Sequence, residues 1–263
     1  MIIDIHTHAF PDALAARAVP HLEEEGNVTA HLDGTVTSLV ASMDATGIDV
    51  SVVASIATKP AQFDSIIQWS KAIAGERIFP FPSVHPADPL ALDHIGEIKA
   101  AGFRGIKMHP YYQGFSVDAP GVFPLYERIV DEGLVLLMHT GFDIAFERKR
   151  IADPVRVERV LQVFPDLKII ASHLGAWEDW DEVEARLLGK PIYLDTSYSI
   201  PFIGRERARS FGLRHPSEYV LFGSDSPWGD QKDAMAMVRD LDLGAERTER
   251  FLGCNAASLL GLD

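Results

Sequence analysis

The chain has 263 residues, 47% of them hydrophobic and 24% charged, and a formal net charge of -14 at pH 7. This composition is typical of a globular protein and excludes a disordered or low-complexity chain. The acidic excess repels phosphate groups and anionic lipids, and no stretch has the length of a membrane span, so we expect neither nucleic acid nor a membrane as a partner.

Short apolar segments alternate with longer amphipathic ones along the whole chain. The segments typical of strands are residues 1–6, 49–55, 77–84, 103–109, 134–140, 167–173, 191–197 and 219–225. The segments typical of helices are residues 37–47, 63–75, 90–102, 123–133, 153–164, 181–189, 232–240 and 246–260. Because strands alternate with helices, the pattern predicts parallel βαβ units.

Eight such repeats predict one closed (β/α)₈ TIM barrel over residues 1–263. The alternative is an open, doubly wound sheet, but neither a GxGxxG motif nor a P-loop follows the first strand. Residues 9–34 are too long for a simple connection and contain Pro11 and Pro20, so we expect an insertion over the mouth of the barrel.

Histidines concentrate at the ends of the predicted strands, where a TIM barrel carries its active site. Six of the ten lie at or just after a strand end: His6, His8, His85, His109, His139 and His173. His6 and His8 are two residues apart on the first strand, so both project from the same face and can share a cation.

Asp225 ends the eighth predicted strand, where an ionised carboxylate needs a partner. A divalent metal would be that partner and would also explain the imidazoles of His6, His8 and His139. Three imidazole nitrogens and one carboxylate oxygen suit zinc, with manganese, iron or cobalt as alternatives. Such a metal activates a water, whose proton Asp225 can accept, while His173 orients the water or protonates a leaving group.

The motifs DIHTH, GIKMHP, MHTG, SHLG, GSDSPW and CNAASLLGL together resemble the amidohydrolase superfamily. The most similar branch is the amidohydrolase 2 group, which includes aminocarboxymuconate-semialdehyde decarboxylase. The resemblance implies a (β/α)₈ barrel with the metal held by His6, His8, His139 and Asp225.

The resemblance also implies two possible roles for His173, as the catalytic histidine of one-metal members or as a ligand of a second metal. Lys107 ends the fourth strand, where two-metal relatives have a carboxylated lysine that bridges the ions. The alternative is that Lys107 is an ammonium group that pairs with a carboxylate. We favour one metal ion, with two as the alternative.

Four further residues near the strand ends are predicted to bind the substrate: His109, Tyr111, Trp177 and Trp228. The basic run of Arg148, Lys149 and Arg150 follows His139 and could neutralise a substrate carboxylate. Because the chain has one cysteine and no secretory signal, we expect a cytoplasmic protein. By analogy with the family, the protein could form a homodimer.

Three functions are consistent with these residues. The first is a metal-dependent hydrolase, in which an activated water attacks a lactone, amide or ester of a small carboxylic acid. The second is a lyase, a non-oxidative decarboxylase or hydratase of a small unsaturated or aromatic carboxylic acid. The third is a barrel that binds a ligand without catalysis; it ranks last, because all the residues needed for metal binding are present.

Overall fold

The computed structural model describes residues 1–262 as parallel strands enclosed by helices. The strands are β1 (Ile3–Thr7), β2 (Val50–Ala54), β3 (Ile78–Phe81), β4 (Gly105–Met108), β5 (Val135–Met138), β6 (Ile169–Ala171), β7 (Tyr193–Asp195) and β8 (Val220–Leu221). The helices are α1 (Asp12–Gly26), α2 (Val36–Thr46), α3 (Phe63–Ile73), α4 (Ala91–Ala100), α5 (Pro110–Gln113), α6 (Phe123–Asp131), α7 (Pro154–Val163), α8 (Trp180–Arg186), α9 (Ile200–Ile203), α10 (Arg205–Arg214), α11 (Gln231–Asp240), α12 (Ala245–Glu249) and α13 (Asn255–Leu260).

The strands close into a barrel. Parallel pairing joins β1 to β2 and β2 to β3, and it joins β4 through β8 in sequence order. Two backbone hydrogen bonds of 2.9 Å close the remaining gaps, since Lys107 N–H donates to the Pro82 carbonyl and Ile5 N–H donates to the Phe222 carbonyl. The TIM barrel predicted from the alternation of strands and helices is therefore confirmed.

Hydrophobic burial explains why these segments form this architecture. β2 has the sequence VSVVA and is buried at every residue, as expected for a strand covered by helices on its outer face. α6 is amphipathic and buries Leu125, Tyr126 and Ile129. Burial of each such apolar side chain contributes about 1.5–3 kcal/mol to the stability of the barrel.

Each observed strand lies at the position predicted from the sequence, with a shift or shortening of a few residues. No helix was predicted between the seventh and eighth strands, where the structure contains α9 and α10. α10 has the sequence RERARSFGLR, in which charged residues predominate, so the apolar face that buries Ala208 and Phe211 gives only a weak helical pattern. This pattern is weak in the sequence because α10 buries only Ala208, Phe211 and Gly212.

Residues 9–34, predicted to be an insertion, contain α1, which has 15 residues and Pro20 in its interior. Only Ala15 and Val19 of α1 are buried. Within residues 1–262, no helix is long and apolar enough to cross a membrane.

Candidate metal centre

Three predicted site residues meet where β1 and β8 end. His6 lies on β1, His8 follows it, and Asp225 follows β8, and one nitrogen or oxygen atom of each lies within 4.8 Å of the others. Asp225 Oδ1 is 3.4 Å from His6 Nε2 and 3.3 Å from His8 Nε2. The Asp225 N–H donates to the His6 carbonyl at 2.8 Å, so backbone pairing of β1 with the segment after β8 fixes this arrangement. We call His6, His8 and Asp225 the floor cluster.

In the rings of His6, His8, His139 and His173, one nitrogen lies within hydrogen-bond distance of an oxygen acceptor. The anchored pairs are His6 Nδ1 with Asp195 Oδ2 at 3.0 Å, His8 Nδ1 with the Ala54 carbonyl at 2.9 Å, His139 Nε2 with the Phe142 carbonyl at 2.9 Å and His173 Nδ1 with the Ser197 carbonyl at 3.0 Å. Because carbonyl and ionised carboxylate oxygens only accept hydrogen bonds, the anchored nitrogen is assigned the proton. The second nitrogen of each ring then carries a lone pair, which at His6 Nε2 accepts a hydrogen bond from Lys107 Nζ at 3.0 Å.

These lone pairs converge. The Nε2 atoms of His6 and His8 face Asp225 Oδ1, and His139 Nδ1 lies 3.2 Å from His173 Nε2. Facing acceptors repel each other unless a cation or a proton lies between them. The donor chemistry of these residues therefore fits a divalent metal.

Lys107 is buried beside the floor cluster, with its Nζ 3.0 Å from His6 Nε2. Burial lowers the pKa of Lys107 to about 8. Burial, together with the charge of Lys107, lowers the pKa of His6 to about 4. Burial raises the pKa of the Asp225 carboxyl, but the charge of His6 and a hydrogen bond to His8 outweigh it and hold that pKa below its usual range. The site thus favours a neutral His6 imidazole and an ionised Asp225 carboxylate, the protonation states that metal binding needs.

His139 lies outside the floor cluster and belongs to a second group with His109 and Asp143. Asp143 Oδ2 is 3.3 Å from His109 Nε2 and 3.6 Å from His139 Nε2. The rings of His109 and His139 are stacked, with centroids 4.1 Å apart. We call this group the stacked cluster. Its Asp143 was not predicted from the sequence, although it lies four residues after His139.

Asp195 is the most extensively bonded residue that the sequence analysis missed. It ends β7 and is fully buried. Its two carboxylate oxygens accept from His6 Nδ1 and from the backbone N–H groups of His173 and Ser197, each at 3.0 Å. The signal was present in PIYLDTS, because a carboxylate at the end of an apolar strand needs a partner here as it does at Asp225.

The floor cluster opens into a cavity of about 680 Å³. The predicted substrate-binding residues His109, Trp177 and Trp228 line it. Tyr111 does not appear among the lining residues within 1–262, because its hydroxyl turns away to donate to the carbonyls of Gly141 and Lys149. Its neighbour Tyr112 lines the cavity instead.

One wall of the cavity comes from α1, through Leu14, Ala18, His21, Leu22 and Glu25, which we call the α1 wall. Further apolar and aromatic side chains extend this surface: Phe10, Ile66, Trp69, Ile144 and Tyr198.

The three basic residues after His139 do not face the cavity. Arg148 pairs with Glu178, Lys149 pairs with Glu147 at 3.0 Å, and Arg150 pairs with Asp179 at 2.9 Å. Their predicted role in neutralising a substrate carboxylate is wrong, because each of them is held by an acidic partner outside the lining of the cavity.

Comparisons with known proteins agree with this geometry. The amidohydrolase family model matches residues 3–262. A TIM-barrel protein from Bordetella bronchiseptica has a TM-score of 0.78 at 21% identity over 99% of this chain and 98% of its own. A dihydroxybenzoic acid decarboxylase from Polaromonas sp. JS666, solved with manganese and the inhibitor 2-nitroresorcinol, has a TM-score of 0.74 at 15% identity over 99% of this chain and 97% of its own.

A curated relative, a dihydroorotase from Pseudomonas fluorescens, is 30% identical over 111 residues. This match spans 38% of the chain and about a third (32%) of the length of that relative.

Proposed function

Because this chain belongs to the amidohydrolase family, we propose that it is a metal-dependent, non-oxidative decarboxylase of a small aromatic or unsaturated carboxylic acid. The observation that carries the proposal is the cavity, in which a histidine and aspartate cluster meets largely apolar and aromatic walls. The decarboxylase from Polaromonas has the same fold over nearly its whole length and holds manganese, which supports the same assignment here.

The metal that we propose is one divalent cation held by His6, His8, His139 and Asp225. Three imidazole nitrogens favour zinc, and the relative with bound manganese favours manganese. When bound, such a cation supplies positive charge that orients the substrate carboxylate and stabilises the charge developing in the transition state. Lys107 adds a second positive charge beside His6 and pairs with a substrate oxygen.

Decarboxylation breaks the bond between the carboxyl carbon and its neighbour and leaves an electron pair on that neighbour. The carbon must then receive a proton from a group that reaches the cavity. Asp225 and His173 both line the cavity, and we assign to this pair the transfer of a proton, taken up from water, to that carbon. Trp177 and Trp228 flank the reacting group, and His109 contacts the substrate from the stacked cluster.

The apolar walls favour decarboxylation over hydrolysis. A localised carboxylate loses more hydration in such a cavity than a transition state in which the charge is dispersed. The sequence favours hydrolysis as the first candidate, with decarboxylation as the alternative, and the apolar walls of the cavity support placing decarboxylation ahead of it. A cytoplasmic location and a homodimeric assembly stay predictions from the sequence.

Hydrolysis of a cyclic amide, lactone or ester is the second candidate. The partial match to dihydroorotase favours it, as does the buried Lys107, which a two-metal hydrolase would carry as a bridging carbamate. In this reaction Asp225 would accept the proton of the attacking water and His173 would protonate the leaving group.

The test is a substrate panel of hydroxybenzoates, unsaturated acids, lactones and cyclic amides, assayed with the zinc and manganese forms. Carbon dioxide is measured directly, and acid release is followed by titration at constant pH. We expect carbon dioxide from an aromatic or unsaturated acid. Acid release from a lactone or cyclic amide, without carbon dioxide from any acid, would replace the proposal with the hydrolase.

A further inference from the structure

The distribution of charge around the cavity restricts the substrate. Among the lining residues within 1–262, Lys107 is the only lysine or arginine, and it lies beside His6. The positive charge available to a ligand is therefore confined to the floor of the cavity.

The α1 wall has the opposite character. Leu14, Ala18 and Leu22 present apolar surface, and the polar members of the wall are Glu25, an acid, and His21. Glu25 and His21 pair with each other at 3.3 Å, and both side chains are largely exposed. A second negative charge on a ligand would meet hydrocarbon and the Glu25 carboxylate there, because the wall has no lysine or arginine and the imidazole of His21 is already paired.

We infer that the cavity selects substrates with a single acidic group, and that the α1 wall forms a subsite for an uncharged, apolar substituent. This inference rests on the proposed function, since the floor of the cavity must receive the acidic group. An apolar substituent gains free energy as it contacts the apolar part of the wall, whereas a carboxylate at the same place makes no such gain, is repelled by Glu25 and finds no unpaired cation. The wall thereby rejects diacids that the floor alone would accept.

The experiment compares two ligands of similar length, 4-butylbenzoate and 4-(3-carboxypropyl)benzoate, which differ in a second carboxylate at the far end. Their binding to the full-length, metal-loaded protein is measured by isothermal titration calorimetry. We expect the monoacid to bind at least about tenfold more tightly than the diacid, because its terminal methyl group contacts the apolar wall whereas the second carboxylate is repelled by Glu25 and finds no unpaired cation.

Two variants that change the net charge by the same amount test whether the preference for the monoacid arises at the α1 wall. Glu25→Lys puts a cation on the α1 wall and should reduce the preference for the monoacid to about threefold or less, because the second carboxylate gains a partner. Glu24→Lys changes an exposed neighbour that does not line the cavity, and it should leave the preference unchanged.

The inference is overturned if the diacid binds wild-type protein as tightly as the monoacid, if both variants shift the preference equally, or if neither ligand binds. The assay for carbon dioxide decides the proposed function separately. A protein that prefers the monoacid but decarboxylates no acid would retain the apolar subsite and lose the decarboxylase assignment.

Discussion

The floor of the cavity and its α1 wall differ in how firmly the fold holds them. At the floor, His6 and Asp195 are 1% and 0% exposed, and hydrogen bonds join them across the barrel. The α1 wall belongs to a helix of 15 residues that buries only Ala15 and Val19. Strand pairing fixes the chemistry of the floor, whereas the wall can change its side chains without moving the floor.

This difference predicts that floor variants alter metal binding and chemistry, while wall variants alter only the affinity for the substrate. The stacked cluster is intermediate between the floor and the α1 wall in how firmly the fold holds it. It is buried like the floor, but within residues 1–262 His109 Nδ1 has no hydrogen-bond partner.

The largest effect is expected from Asp225→Asn. It removes a proposed ligand and proton carrier, so turnover should fall by about a thousandfold or more while the fold is retained. Decarboxylation rate, metal content and thermal unfolding are measured together. Asp233→Asn on the exposed side of α11 is the matched control and should change none of them. Turnover within tenfold of wild type would exclude Asp225 from the chemistry.

Asp195→Asn should weaken metal affinity by about 10- to 100-fold, because an amide orients His6 less firmly than a carboxylate. Competition with a chelating indicator measures the affinity. Asp181→Asn, a carboxyl that is 92% exposed on α8, is the control with the same chemical change. Equal affinities of the two variants would show that Asp195 supports only the fold.

The metal-free protein should lose stability in acid. His6 and His109 have a pKa of about 4 in the folded state and 6.5 when unfolded. The unfolded chain therefore binds more protons between these values, and acidification favours unfolding. Burial raises the pKa of Asp4 from 3.8 to about 6, which has the opposite sign. From pH 7 to pH 5 these two histidines lose roughly 4 kcal/mol and Asp4 recovers about 1, a net loss of at least about 2 kcal/mol, to which His139 adds because burial lowers its pKa as well.

Urea denaturation at the two pH values measures this loss. His109→Gln should reduce this loss, because it removes one of the imidazoles that are neutral in the folded state. A free energy of unfolding that stays constant between pH 7 and pH 5 would contradict the neutral state assigned to these imidazoles.

The smallest effect is expected on the α1 wall. Leu14→Ala removes apolar contact area and should raise KM about three- to tenfold with kcat unchanged. Leu213→Ala is a close control, because Leu213 is 41% exposed on α10, outside the lining of the cavity, and Leu14 is 42% exposed. A fall in kcat for Leu14→Ala would mean that the wall takes part in the chemistry.

The barrel could be predicted from the sequence because each strand is an apolar, β-rich segment with its own boundaries. α1 and α10 could not, since α1 contains Pro20 and buries few residues, and α10 is dominated by charged positions. When tertiary packing supplies most of the stability of a helix, the local sequence predicts that helix only weakly.

For the site, the spacing of His6 and His8 and the strand-end position of Asp225 were sufficient to predict that they meet. Asp195 was missed although it ends an apolar strand as Asp225 does, and Asp143 was missed because it lies in a loop, where no strand pattern marks it. Asp195 bonds to His6, which lies 189 positions away. Tyr111 was chosen over Tyr112 because the sequence does not reveal which of two neighbouring tyrosines faces a cavity.

The most direct test of the account is anomalous diffraction from crystals grown with manganese and measured on both sides of its absorption edge. The account predicts one peak about 2.0–2.3 Å from His6 Nε2, His8 Nε2 and a carboxylate oxygen of Asp225, with His139 as the fourth protein ligand. A peak bound only by His109 and Asp143, or no peak at the floor cluster, would contradict it.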